Sequence, residues 1–145
     1  MRLNKLSLRD FRNYREATVD LDPGVNLIVG DNAQGKTNLL EAIAYLSSAR
    51  SHRARYDREM IGMDRTAAHI RGTIESRGRT FVVEAQLARG RTRKLFSNGV
   101  RLKNAGELAG VLNTVLFCPE DLYLIREGAA ARRRFLDSAI CQLRP

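Results

Sequence analysis

Histidine, cysteine and long apolar runs are all scarce in this 145-residue chain, and each scarcity removes a class of function. Its two histidines, His52 and His69, stand apart and lack the spacing of a metal-ligand set. The two cysteines, Cys118 and Cys141, both lie in apolar surroundings, which reads as reduced core thiols rather than a disulfide or a metal pair. No run of about 18 apolar residues is present to form a transmembrane helix. The opening Met1-Arg2-Leu3-Asn4-Lys5-Leu6 has no apolar core of the kind a signal peptide needs. The expectation is a cytoplasmic protein without membrane contact. Internal repeats and low-complexity tracts are missing too, as is the Asn-Lys-x-Asp that reads a guanine base.

What the chain has is an ordinary globular composition with a skewed charge. Hydrophobic residues make up 43% and charged residues 28%, enough for one domain with a real core. Lys and Arg total 25 against 16 Asp and Glu, a net charge of +9, and the sequence pI is about 10.4. Such a surplus suits a polyanionic partner, although an arginine-rich solvated surface gives the same sum. The densest clusters are Arg50, Arg53, Arg55 and Arg58, with His52 among them, and Arg132-Arg133-Arg134.

Residues 30 to 37 read Gly-Asp-Asn-Ala-Gln-Gly-Lys-Thr, which fits the phosphate-loop pattern G-x-x-x-x-G-K-[ST]. Val25-Asn26-Leu27-Ile28-Val29 before it suits a buried strand. Thr37 to Ser48 after it reads as a helix with Leu39, Ala42, Ile43 and Leu46 on one face. Gly30 and Gly35 can adopt backbone conformations barred to residues with a Cβ, letting successive N–H groups turn inward as an anion nest. The helix beginning near Lys36 aims its own N–H groups and positive dipole end at the same point. Lys36 adds a full charge near the β- and γ-phosphates of a nucleotide, and the Thr37 hydroxyl is placed to ligate Mg²⁺.

Around this loop the pattern is mostly β. Residues 2 to 9 and 16 to 21 alternate as two strands, and Asp22-Pro23-Gly24 marks a turn. Residues 49 to 66 are polar and basic, with a helical turn expected over Asp57 to Ile61. From Ala67 to Lys103 an antiparallel meander is expected. It turns at Ser76-Arg77-Gly78-Arg79, at Arg89-Gly90-Arg91 and at Asn98-Gly99, the last being the strongest short hairpin signal. Hairpins of this kind inside an α/β nucleotide fold point to a mixed sheet. A short helix is expected over Ala105 to Leu112 with Asn104 as N-cap, a buried strand over Thr114 to Cys118, and a helical turn over Glu120 to Arg126. A closing helix is expected over Ala129 to Leu143, with Phe135, Leu136, Ala139, Ile140 and Leu143 along its apolar side. That helix would have nothing to pack on, which reads as a piece of a longer chain.

A phosphate loop alone binds but does not hydrolyse; an acid at the end of an apolar strand is needed to hold Mg²⁺ or activate water. Glu84, after Phe81-Val82-Val83, and Glu120, after Val115-Leu116-Phe117-Cys118-Pro119, have the right look. Glu84 belongs to the meander and Pro119 ends the strand before Glu120, so both read better as strand-associated residues. On motifs alone, a small kinase or GTPase and an inactive nucleotide-binding fragment remain open.

The extended loop Gly30-Asp31-Asn32-Ala33-Gln34-Gly35-Lys36-Thr37-Asn38-Leu39-Leu40-Glu41-Ala42-Ile43 resembles that of the RecF family of bacterial DNA replication and repair proteins. Leu8 with Phe11-Arg12-Asn13-Tyr14, Arg50-Ser51-His52-Arg53, and Pro119-Glu120-Asp121-Leu122 followed by Arg132-Arg133-Arg134-Phe135-Leu136-Asp137 are similar to further segments of that family, in the same order. The chain departs from the family where Gly-x-Pro is replaced by Glu127-Gly128-Ala129. It also has no glutamine near Cys118-Pro119, so no glutamine-loop role carries over. The resemblance implies an α/β P-loop NTPase of the ABC head type, related to SMC and Rad50, with a mixed sheet and an antiparallel meander. Residues 1–130 would be the first lobe and 131–145 the start of a helical second lobe. The hydrolysis acid and the signature segment would lie past Pro145. It further implies ATP and Mg²⁺ as ligands and an ATP-dependent homodimer when the protein is complete. DNA, RecR, and RecO with RecA downstream would be its partners. Asn32 to Thr37 carry over as phosphate and metal contacts, with Gly30 and Asp31 leading into them, and Lys36 as the catalytic cation. Arg12 and Asn13 carry over as neighbours of the nucleotide.

Overall fold

Residues 1–118 and 128–143 are described in the computed structural model of the chain. Strands β1 (Arg2–Phe11) and β2 (Tyr14–Asp20) form the first hairpin. Helix α1 (Lys36–Ser48) follows, then a 3₁₀ turn over Asp57–Met60. The meander comprises β3 (Ala67–Ser76), β4 (Arg79–Ala88), β5 (Lys94–Ser97) and β6 (Val100–Arg101). A second 3₁₀ turn spans Ala105–Leu108, and α2 covers Ala129–Leu143 as expected. The strands make one sheet in the order β2-β1-β3-β4-β5-β6, with every pairing antiparallel.

Strand alternation decides which face is covered. Leu6 and Leu8 of β1, Ala68, Ile70 and Ile74 of β3, Val83, Ala85 and Leu87 of β4 and Leu95 of β5 are buried. They form the core together with Leu39, Ala42, Tyr45 and Leu46 of α1. Gly72 marks the closest approach of helix to sheet. A Cβ there would fall 2.5 Å from Leu46 Cδ1 and 3.0 Å from Leu3 Cδ1, so a larger residue would have to displace these side chains. The turns supply the chain reversals the sequence promised. Arg77 and Gly78 (φ 52° and 71°), and Asn98 and Gly99 (φ 49° and 78°), take the paired left-handed conformations that suit two-residue hairpins. The segment after α1 is fastened by side chains. The Tyr45 hydroxyl donates to Asp57 Oδ1 at 3.0 Å, and Arg93 reaches the same carboxylate from beyond β4 at 3.1 Å.

Three expectations change. Val25–Val29 is not a buried strand: it pairs with no strand among the described residues, and Val25, Leu27 and Val29 are 96%, 84% and 76% exposed. The turn before it forms as the sequence suggests, with Asn26 Nδ2 donating to the Asp22 carbonyl at 3.0 Å. Thr114–Cys118 likewise makes no strand; Val115 and Phe117 project outward while Cys118 is buried. Both segments have strand composition, but a strand also needs a neighbour for its N–H and C=O groups, and no described strand provides one. The helix expected over Ala105 to Leu112 contracts to the four-residue 3₁₀ turn. It is capped by Asn104 Oδ1, which accepts from the Gly106 amide at 2.8 Å. The Pro119-Glu120-Asp121-Leu122 signature, the turn over Glu120 to Arg126 and residue Glu127 lie outside the described residues, as do the side chains of Arg134 and Cys141. Phe135, Leu136 and Ile140 on α2 are exposed. Among the described residues no helix is long and apolar enough to cross a membrane.

Candidate nucleotide-phosphate site

The loop from Gly30 to Gly35 turns sharply between the extended segment and α1. Gly30 (φ 151°), Ala33 (φ 66°) and Gly35 (φ 105°) all adopt positive φ. Gly35 is the N-cap of α1, with no side-chain cap bond and no acid in the first turn. The first helical bond runs from the Leu39 amide to the Gly35 carbonyl at 3.0 Å, so the amides of Lys36, Thr37 and Asn38 precede the ladder. An uncapped helix start, free of carboxylates and opened by a residue without a Cβ, suits an anion. Lys36 Nζ donates to the carbonyls of Gly30 and Asp31, at 2.6 Å each, which holds the ammonium across the mouth of the loop. Asp31, Asn32, Ala33, Gln34 and Thr37 are exposed, so the Thr37 hydroxyl is open to solvent at the helix start.

The tip of the first hairpin leans on this loop. Asn13 Nδ2 donates to the Gln34 carbonyl at 3.0 Å, and the Tyr14 hydroxyl donates to the Gly35 carbonyl at 3.2 Å. At φ 105° the backbone of Gly35 favours glycine, and a Cβ there would lie 2.6 Å from Asn13 Oδ1 and push that side chain off the loop. The structure thus brings Asn13 to the loop directly. Arg12 does something else: its fork turns to Glu41, Nε to Oε2 at 2.9 Å and Nη2 to Oε1 at 2.7 Å, with Nη1 on the Glu59 carbonyl at 2.8 Å.

Glu41 was not singled out by the sequence, where a glutamate on an amphipathic helix reads as solvent-facing. It is fully buried in α1. Besides Arg12 it accepts from Arg53 Nη2 at 2.7 Å and from the Ser51 hydroxyl. Burial alone would raise its pKa, but the hydrogen bonds from Arg12, Ser51 and Arg53 outweigh this and bring it down to about 2. Of the basic cluster, then, Arg53 is engaged inward, while Arg55 and Arg58 flank the Tyr56 ring at 5.4 and 4.7 Å from its centroid. Glu84 pairs with His69 across β3 and β4 at 2.9 Å and belongs to the sheet. No group of residues among those described has the make-up of a dedicated metal site.

An antiparallel sheet backed by a helix that begins in a phosphate loop is the ATPase head architecture that this chain shares with solved RecF and SMC heads. The AAA domain family matches residues 5–121, and the chain belongs to that family. Within it the relatives are RecF proteins, as the sequence resemblance suggested. The DNA replication and repair protein RecF of Acidothermus cellulolyticus is 43% identical over the whole chain, which covers 39% of that protein. RecF of Oenococcus oeni is 44% identical, with 99% of this chain and 38% of that one aligned. A solved structure of the recombination mediator protein RecF with ATP superposes with a TM-score of 0.92 at 38% identity, covering 96% of this chain and 39% of that one. The chain therefore spans about two fifths of the length of the curated relatives it matches. A solved SMC ATPase shares the fold at 19% identity with a TM-score of 0.73.

Proposed function

We propose that the chain is the nucleotide-binding part of a RecF-type, ATP-dependent DNA-binding protein of recombinational repair and replication restart. The observation that carries this is the loop Gly30–Thr37, with its open helix start and Lys36 across its mouth, in a chain whose RecF relatives include one solved with ATP. Asn32 to Thr37 hold the phosphates, the Lys36 ammonium stabilises negative charge on the β- and γ-phosphate oxygens, and Thr37 ligates Mg²⁺. Asn13 stands beside the loop as a fixed wall. Residues 1–130 make the first lobe of the head and 131–145 begin a helical second lobe. ATP sandwiched between two complete copies then gates DNA binding, with RecR as direct partner and RecO and RecA downstream. The basic surplus favours duplex or junction DNA by counterion release. The chain alone binds nucleotide without turning it over: Glu84 is paired with His69 in the sheet, and the hydrolysis acid belongs to the remainder of the head.

The test has two arms. In the first, the 145-residue chain binds Mg·ATP and Lys36→Ala weakens binding by about tenfold or more, the scale of a lost charge-assisted contact; equal affinity in the two proteins would refute the phosphate site. In the second, a full-length relative carrying this segment is titrated with DNA over a salt series. ATP should tighten binding at every salt concentration, and nucleotide-independent affinity would refute the gating.

A further inference from the structure

Glu41 is the only fully buried carboxylate among the described residues, and two routes lead from it to the same residue, one through the main chain and one through side-chain hydrogen bonds. The first is short. Glu41 grips the fork of Arg12, the residue before Asn13. Arg12 sits at φ 52°, a left-handed conformation that an arginine adopts only at some cost. Its amide donates to the Met60 carbonyl at 2.8 Å, so it is pinned at both ends. The second route passes through Arg53. Its Nη2 bridges Glu41 Oε2 and Asn38 Oδ1, the latter at 2.5 Å, and Asn38 Nδ2 donates to Asn13 Oδ1 at 2.8 Å. Both routes end at Asn13, which touches the loop at Gln34 and Gly35.

We propose that Glu41 is a positioning residue of the nucleotide site: it draws the hairpin tip and the 51–53 segment together so that Asn13 braces the phosphate loop, without itself meeting the ligand. This rests on the phosphate-binding reading of loop 30–37. The physical reason is that a nest works only when its amides are fixed before the anion arrives. The loop has little packing of its own, since Asp31 to Gln34 are exposed, and its rigidity must come from the side. The part-exposed guanidiniums of Arg12 and Arg53 both converge on this one buried carboxylate, so removing its charge weakens both routes together.

The experiment is ¹⁵N relaxation on the 145-residue chain, with Mg·ATP titration as second readout. Glu41→Gln keeps the shape and removes the charge. Order parameters of residues 12–14 and 33–36 should fall from about 0.85 toward about 0.6 while the centre of β3 and β4 stays rigid. ATP affinity should drop by about tenfold. Asn13→Ala, which leaves the Glu41 cluster intact, should loosen 33–36 to the same degree. The double variant should be no looser there than Asn13→Ala alone. An unchanged loop in Glu41→Gln overturns the proposal, as do two effects that add in full, or mobility spread evenly through β3 and β4. If Lys36→Ala binds nucleotide as tightly as the parent chain, the phosphate-binding reading fails even where the relaxation result stands, so the two failures are told apart.

Discussion

Ile70 and Leu27 are both apolar residues in β-prone segments, and they end in opposite circumstances. Ile70 lies in β3 with Leu8 of β1 on one side and Ala85 of β4 on the other, and is completely buried under α1. Leu27 lies in an extended segment that pairs with no strand among the described residues and is 84% exposed. Side-chain preference is similar at the two sites; the supply of hydrogen-bonding neighbours is not. The meander closes on itself through short turns, so β3, β4 and β5 bring their own partners. Val25–Val29 and Thr114–Cys118 pair with no strand among the described residues, and Val25, Leu27, Val29, Val115 and Phe117 remain outside.

The largest effect follows from the filled side of this contrast. Ile70→Ala should cost about 2–5 kcal/mol, the range for truncating a fully packed aliphatic residue, because it opens a cavity between sheet and helix. Leu27→Ala should change stability by less than about 0.5 kcal/mol, as surface substitutions do. Urea unfolding of the two variants decides the matter; equal losses would mean that the 25–29 segment is packed in solution after all.

Next in size comes the contrast between the buried ion cluster and the exposed pairs of the sheet's open face. In the unfolded chain Glu41 titrates near 4.5, and in the folded chain near 2. The folded carboxyl holds its proton less tightly, so its contribution is complete above about pH 5 and is lost as pH falls toward 2. Its size is on the order of 2–3 kcal/mol. Exposed pairs such as Lys5–Asp20 contribute far less. Stability measured from pH 6 to pH 3 should therefore fall more steeply in the parent chain than in Glu41→Gln. Parallel curves would show that the cluster carries no such linkage.

How much could be read beforehand follows the same division between local and distant causes. Lys94–Ser97 and the Asn98-Gly99 turn were legible because a hairpin is specified within a few residues. The phosphate loop was legible because eight consecutive positions fix its shape. The bounds of α2 came from a single amphipathic repeat. Glu41 was hidden because the groups that make burial tolerable for a carboxylate come from Arg12 and Arg53, 29 and 12 residues away. No periodicity announces such a meeting. The strand expected at Val25–Val29 failed for the complementary reason: its composition was read correctly, but pairing is a property of two segments. Arg12 was expected beside the nucleotide. It lies one residue from the loop's brace, with its fork committed to Glu41.

The smallest effect on stability sharpens the comparison most. Leu27→Ser and Phe117→Ser replace apolar groups that are already in water, so neither should shift the unfolding midpoint measurably. What they should change is association. Exposed apolar side chains on extended backbone are a template for pairing with another chain. The double variant of the 145-residue chain should remain monomeric at concentrations where the parent forms larger species, as read by light scattering at matched concentration and salt. High salt should widen the difference, because it screens the repulsion between copies carrying +9 each and leaves apolar contact to dominate. If both proteins associate alike, the stickiness lies elsewhere, and the exposed face of α2 with Phe135, Leu136 and Ile140 becomes the next surface to alter.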